Sequence, residues 1–128
     1  MIDKKEITEL IESLENSFED IIGILKSLSK DQRLRILIYL LTGEKRFDDL
    51  LAEIKLAKTA LSNNLSKLLK ANLIKKPKIG IYKLTNDGEL FLRTIEYAYI
   101  NSSFKEKRDI EIGQQRKFSV SFVEDFFG

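Results

Sequence analysis

From Ile7 to Leu28, apolar residues return at alternating intervals of four and three: Ile7, Ile11, Leu14, Phe18, Ile21, Leu25 and Leu28. That rhythm is a heptad stripe, and it predicts one long amphipathic helix over residues 3–28. A stripe this narrow suits packing against another long helix better than burial in a broad core. Gly23 lies inside the helix and weakens it locally. Ser29, with Gln32 three positions later and Asp31 between them, has the pattern of a capping box and so of a helix start. The second helix turns Leu34, Ile36, Leu37, Leu40 and Leu41 inward and ends at Gly43. Glu44–Phe47 has room only for a short strand. Asp48 and Asp49 open a third helix, Phe47–Lys55, with Leu50, Leu51 and Ile54 inward.

A break at Leu56–Lys58 precedes a fourth helix from about Thr59 to Ala71, held by Leu61, Leu65 and Leu68. Asn72 stands where a left-handed residue closes a helix. Leu73–Lys78 and Ile81–Thr85 then alternate in polarity around Ile79-Gly80, which predicts a β-hairpin. Pro77 must face away from the ladder or lie at the turn. By alternation, Lys76 and Lys78 share one face of that hairpin and Lys75 takes the other. A fifth helix starts at Thr85 or Asn86, carries Leu90, Phe91, Ile95, Ala98 and Tyr99, and frays toward Ile112-Gly113. The fold class is therefore mainly α with a small β-hairpin: a winged helix-turn-helix with long N-terminal and C-terminal helices.

Charge changes the picture through its placement. The net charge of +2 is not spread along the chain. Residues 1–28 hold three basic and seven acidic groups, residues 30–54 hold five of each, and residues 84–128 hold six and eight. Residues 55–83 hold eight lysines and no acid. One segment thus carries the whole positive excess, which is the footprint of a polyanion binder. The plain alternative is a solvated lysine-rich surface.

The chain has no cysteine and no histidine. That excludes disulfides, thiolate zinc sites, Ser-His and Cys-His catalysis and a histidine pH switch. Asp48-Asp49 and Glu124-Asp125 are adjacent carboxylates without an acid–base arrangement, and Gly80 and Gly88 form no phosphate loop. The expectation is a protein that is not an enzyme and uses no cofactor or metal. No apolar run approaches a bilayer-spanning length and no signal peptide is visible, so the expected location is cytoplasmic, with no membrane partner.

A helix that enters the roughly 12 Å major groove needs a polar outer face and an anchored inner one. In the fourth helix Lys58, Thr59, Ser62, Asn63, Ser66, Lys67 and Lys70 face outward, several of them short enough to approach base edges. Asparagine can pair bidentately with adenine, and lysine reaches guanine or phosphate. A surface helix of no function usually alternates Glu with Lys, and this one does not. The hairpin adds Lys75, Lys76, Lys78 and Lys83, suited to gripping a DNA backbone or entering the minor groove. Those same lysines would also protect an edge strand.

Two stretches resemble a known family. LSKDQRLRILIYLLTG, residues 28–43, looks like the second helix of ArsR-type regulators. IKLAKTALSNNLSKLLKANLIKKPKIGIYKLTNDGE, residues 54–89, looks like the recognition helix and wing of the ArsR and MarR group. The resemblance implies that Lys58, Thr59, Ala60, Ser62, Asn63, Asn64 and Lys67 lie nearest the bases. It also implies a homodimer joined through terminal helices, the candidates here being Ile7, Ile11, Leu14, Phe18, Ile21 and Leu25 on the first stripe and Phe91, Ile95 and Tyr99 on the last. Recognition helices in such a dimer stand about 34 Å apart. The chain departs from the family at Ala57, where a serine cap is usual, at Asn64, often histidine, and in lacking the Cys and His ligands of metal sensors.

Residues 1–112 are thus read as one DNA-binding domain with flanking dimerisation helices, 1–28 and 86–112, followed by an aromatic tail, 113–128. The function expected is sequence-specific binding of double-stranded DNA by a homodimeric transcription regulator. A small-molecule effector is left open. Two alternatives use the same pattern. One is a winged-helix protein-interaction module. The other is the N-terminal head of a longer sensor, suggested by four phenylalanines within residues 118–128.

Overall fold

The computed structural model describes residues 3–114. Residues through Leu90 belong to one compact unit, and those from Phe91 onward to a second. The aromatic tail expected at 113–128 lies, from residue 115 on, outside the described residues.

The N-terminal stripe is carried by two helices, α1 (Lys4–Asn16) and α2 (Phe18–Leu28), not by one. Asp3 caps α1 by accepting the Glu6 N–H at 2.8 Å. The break falls at Asn16–Ser17, not at Gly23. Ser17 leaves the helical region (φ −110°, ψ 12°), though backbone bonds continue from Ser17 N to Ser13 O and from Ile21 N to Ser17 O. Asn and Ser are both weak helix formers, and two in succession give the chain its cheapest place to bend. α3 (Asp31–Leu40) starts two residues later than Ser29 suggested. The Ser29 hydroxyl donates backward to the Lys26 carbonyl at 3.0 Å and closes α2, so it is not available to cap α3.

α3, α4 (Phe47–Ile54) and α5 (Lys58–Lys70) build the core. Ile36, Leu37, Leu40, Leu50, Leu61, Leu65 and Leu68 are all but fully buried. Leu73, Ile74 and Tyr82 from the hairpin seal it. Leu41, expected inward, is about half exposed at 51%, because α3 ends at Leu40 and the chain turns away there. Lys55 closes α4 in the left-handed region (φ 58°), and Asn72, as expected, does the same after α5 (φ 58°).

The hairpin is β2 (Ile74–Lys78) and β3 (Ile81–Leu84), and the short strand before α4 is β1 (Lys45–Arg46). The order is β1-β3-β2, antiparallel throughout. α6 (Asn86–Ile100) follows. Thr85 caps it: its hydroxyl accepts the Gly88 N–H at 2.9 Å and donates to the Asn72 carbonyl at 2.7 Å. The helix expected to run to residue 112 instead breaks at Asn101–Ser102, and a further helix, α7, covers residues 103–114. Asn101 and Ser102 turn their side chains back onto the carbonyls of Tyr97 and Tyr99, and Ser102 Oγ accepts the Lys105 N–H at 3.2 Å. One serine thereby ends α6 and starts α7.

Candidate nucleic-acid interface

α4, the Lys55–Ala57 turn and α5 form the helix-turn-helix, and α5 is its second helix. At thirteen residues α5 is about 20 Å long. Its inner side is Leu61, Leu65 and Leu68; Lys58, Thr59, Ser62, Asn63, Ser66, Lys67 and Lys70 are exposed. Ala57 occupies the N-cap and supplies no side-chain hydrogen bond, so the first-turn N–H groups face outward uncapped.

Asn64 and Ala60 sit differently from the other expected contact residues. Both are half-buried. The Asn64 amide donates to the Ala60 carbonyl at 2.9 Å and accepts from Arg33 Nη1 at 3.2 Å. Arg33 is the buried cation of the fold, 7% exposed. Its Nε and Nη2 also donate to the Ser27 and Lys26 carbonyls, at 2.7 and 2.9 Å. A buried guanidinium is tolerable only when its donors are satisfied, and here the unpaired carbonyls at the C-terminal end of α2 satisfy it. Arg33 thereby ties α2 to the middle of the recognition helix. Sequence reasoning counted Arg33 only as charge, since nothing local marks it as buried.

The hairpin's faces also differ from simple alternation. Lys75 pairs with Lys83 and Ile74 with Leu84, but Lys78 pairs with Ile81, one residue out of step. A bulge at Lys76-Pro77 absorbs the extra residue, where proline has no N–H to give the ladder. Residues opposite each other point to one face. Lys78 therefore joins Lys75, Lys83 and Ile81, and Lys76 is on the other side, its Nζ 5.5 Å from the Tyr82 ring centroid. β1 extends the same face, because Arg46 pairs with Ile81. Four cations from three strands share it. Arg46 was missed in the sequence because it lies outside the acid-free segment, on a strand of two residues.

Among the described residues, none of the eight lysines of residues 55–83 forms an ion pair. The Lys105–Asp109 pair on α7 is elsewhere, at 2.5 Å, and that carboxylate raises the Lys105 pKa. Lys75 and Lys83 stand directly opposite each other with no carboxylate between, an arrangement that costs folding energy unless an anion approaches. No group of three or more His, Cys, Asp or Glu side chains gathers into a metal site among the described residues. No described helix is long and apolar enough to cross a membrane.

Of the expected dimer residues, Ile7, Ile11, Leu14, Phe18 and Leu25 are each about half exposed, and Ile21 is half-buried. In the second unit Ile95 and Tyr99 are exposed and Phe91 is half-buried.

No curated protein sequence matches the chain significantly. Residues 30–76 match the model of the bacterial regulatory protein arsR family. Among solved structures, HlyU from Vibrio cholerae is similar over 68% of this chain and 99% of its own, at 23% identity and TM-score 0.57. The transcriptional repressor BigR from Xylella fastidiosa covers 71% and 96%, at 24% identity and TM-score 0.57. The homodimeric winged helix-turn-helix DNA-binding domain of Mb0332 from Mycobacterium bovis covers 70% and 89%, at 21% identity and TM-score 0.58. The matched segment begins before α3 and runs through the recognition helix into the wing, and the fold around it is theirs. The chain belongs to the ArsR family of winged helix-turn-helix transcription regulators.

Proposed function

We propose that this chain binds double-stranded DNA sequence-specifically, as a homodimer. The observation that carries the reading is the set of unpaired cations. Eight lysines without an internal partner lie on one helix and one hairpin, in the two elements a winged helix presents to DNA. Lys58, Thr59, Ser62, Asn63 and Lys67 read or flank base edges in the major groove. Ala60 and Asn64 hold the helix to its support, and Asn64 acts through Arg33. Lys75, Lys78, Lys83 and Arg46 meet phosphates, and Lys76, drawn over Tyr82, contributes less. The homodimer is favoured by the exposed stripe of α1 and α2, about half of whose side-chain surface has no cover within the chain. The Mycobacterium bovis structure of the same fold is a homodimer.

The test is parallel binding of the purified chain to duplexes recovered from a random-sequence pool and to unrelated duplexes. Specific recognition predicts a preference of about 1,000-fold or more at physiological salt. Equal affinity for both would refute sequence specificity, and no binding to either would refute the DNA role.

A further inference from the structure

Ile79, at the tip of the wing, is 97% exposed, the most exposed large apolar side chain among the described residues. Single exposed apolar residues are common and usually mean nothing. This one is not placed at random. The tip is fixed: Gly80 takes the left-handed conformation (φ 75°) that the turn needs, and its carbonyl accepts the Phe47 N–H at 2.8 Å. Pro77 stiffens the approach. Behind the tip lie Lys75, Lys78, Lys83 and Arg46 on one sheet face. An apolar residue held out beyond a ring of unpaired cations repels most protein surfaces and membranes of neutral charge, but it complements a groove walled by phosphates.

We infer that Ile79 is a minor-groove contact, seated against sugars and base edges while the neighbouring cations hold the two phosphate walls. The inference rests on the DNA-binding reading above. It adds a specificity element made by an uncharged side chain. In the minor groove a G·C pair presents the guanine N2 amino group, whereas A·T pairs present only acceptors and a narrower groove. An isoleucine side chain covering that amino group would bury a donor with no partner. The wing therefore selects A·T pairs flanking the major-groove half-site. Because Ile79 displaces no counterion, its contribution is independent of salt.

Sequence selection from a random duplex pool is run in parallel with the wild-type chain, Ile79→Ala and Ile79→Lys. The wild type enriches A·T pairs outside the half-sites. Ile79→Ala loses that enrichment and binds the wild-type sequence about tenfold more weakly, with an unchanged salt slope. Ile79→Lys also loses the enrichment but steepens the salt slope. Replacing a flanking guanine by inosine, which lacks the N2 amino group, restores affinity for the wild type and leaves Ile79→Ala indifferent. Equal affinity and equal flanking preference for wild type and Ile79→Ala overturn the inference while the DNA-binding reading stands. Failure of the wild type to retain any duplex overturns both.

Discussion

At the scale of single residues, the recognition helix and the wing divide the work of binding. Asn63 is exposed, short and capable of a bidentate contact, so Asn63→Ala should relax base preference at one position of each half-site, costing about 1–3 kcal/mol on the preferred base. Lys78 and Lys83 contact no base in this account. Replacing either with alanine should weaken binding to every duplex alike and reduce the salt slope by about one unit per protomer. Lys76→Ala should do less, because its ammonium already lies over Tyr82. Competition against a panel of single-base variants separates these outcomes. Gly88 gives a check on the fold alone. Any Cβ there would run into the Leu73 carbonyl and the Leu84 side chain, and its N–H is held by Thr85. Gly88→Ala should lower stability by about 2 kcal/mol or more in a urea titration, since backbone cannot move aside cheaply.

At the scale of elements, the apolar periodicities placed the helices and the hairpin correctly, and their ends less well. Leu61, Leu65 and Leu68 fixed α5 because four-and-three spacing admits one buried face. Asn16–Ser17 and Asn101–Ser102 were read through, since the stripe continues in phase across both breaks and the competing side-chain hydrogen bonds leave no mark in the hydropathy pattern. The wing bulge was illegible for a related reason: alternation assumes a regular ladder, and one extra residue at Lys76-Pro77 turns Lys78 to the other face. Of the candidate site, the exposed lysines were legible from charge placement alone. The Arg33–Asn64 bond, thirty-one residues apart in sequence, was not. The split stripe on α1 and α2 yields its own prediction. Leu14→Lys should leave the helical content of the chain unchanged, because Leu14 is exposed within it, yet convert a dimer to a monomer in sedimentation equilibrium. A Leu14→Lys chain that sediments as the wild type does would remove α1 from the interface.

At the scale of the whole molecule, charge is segregated. The N-terminal helices are acidic, the reading head is basic and the residues after it are mildly acidic. A chain of net charge +2 can therefore present a strongly positive surface to DNA while its flanks repel it. This segregation sets orientation as well as affinity, since only one face of the molecule is attracted to phosphate. The most direct test is the dependence of DNA affinity on salt. If about six to eight phosphates are engaged per dimer, the slope of log affinity against log salt concentration should lie near −5 to −7. A slope near zero, with affinity indifferent to salt, would contradict the assignment of this lysine surface to DNA.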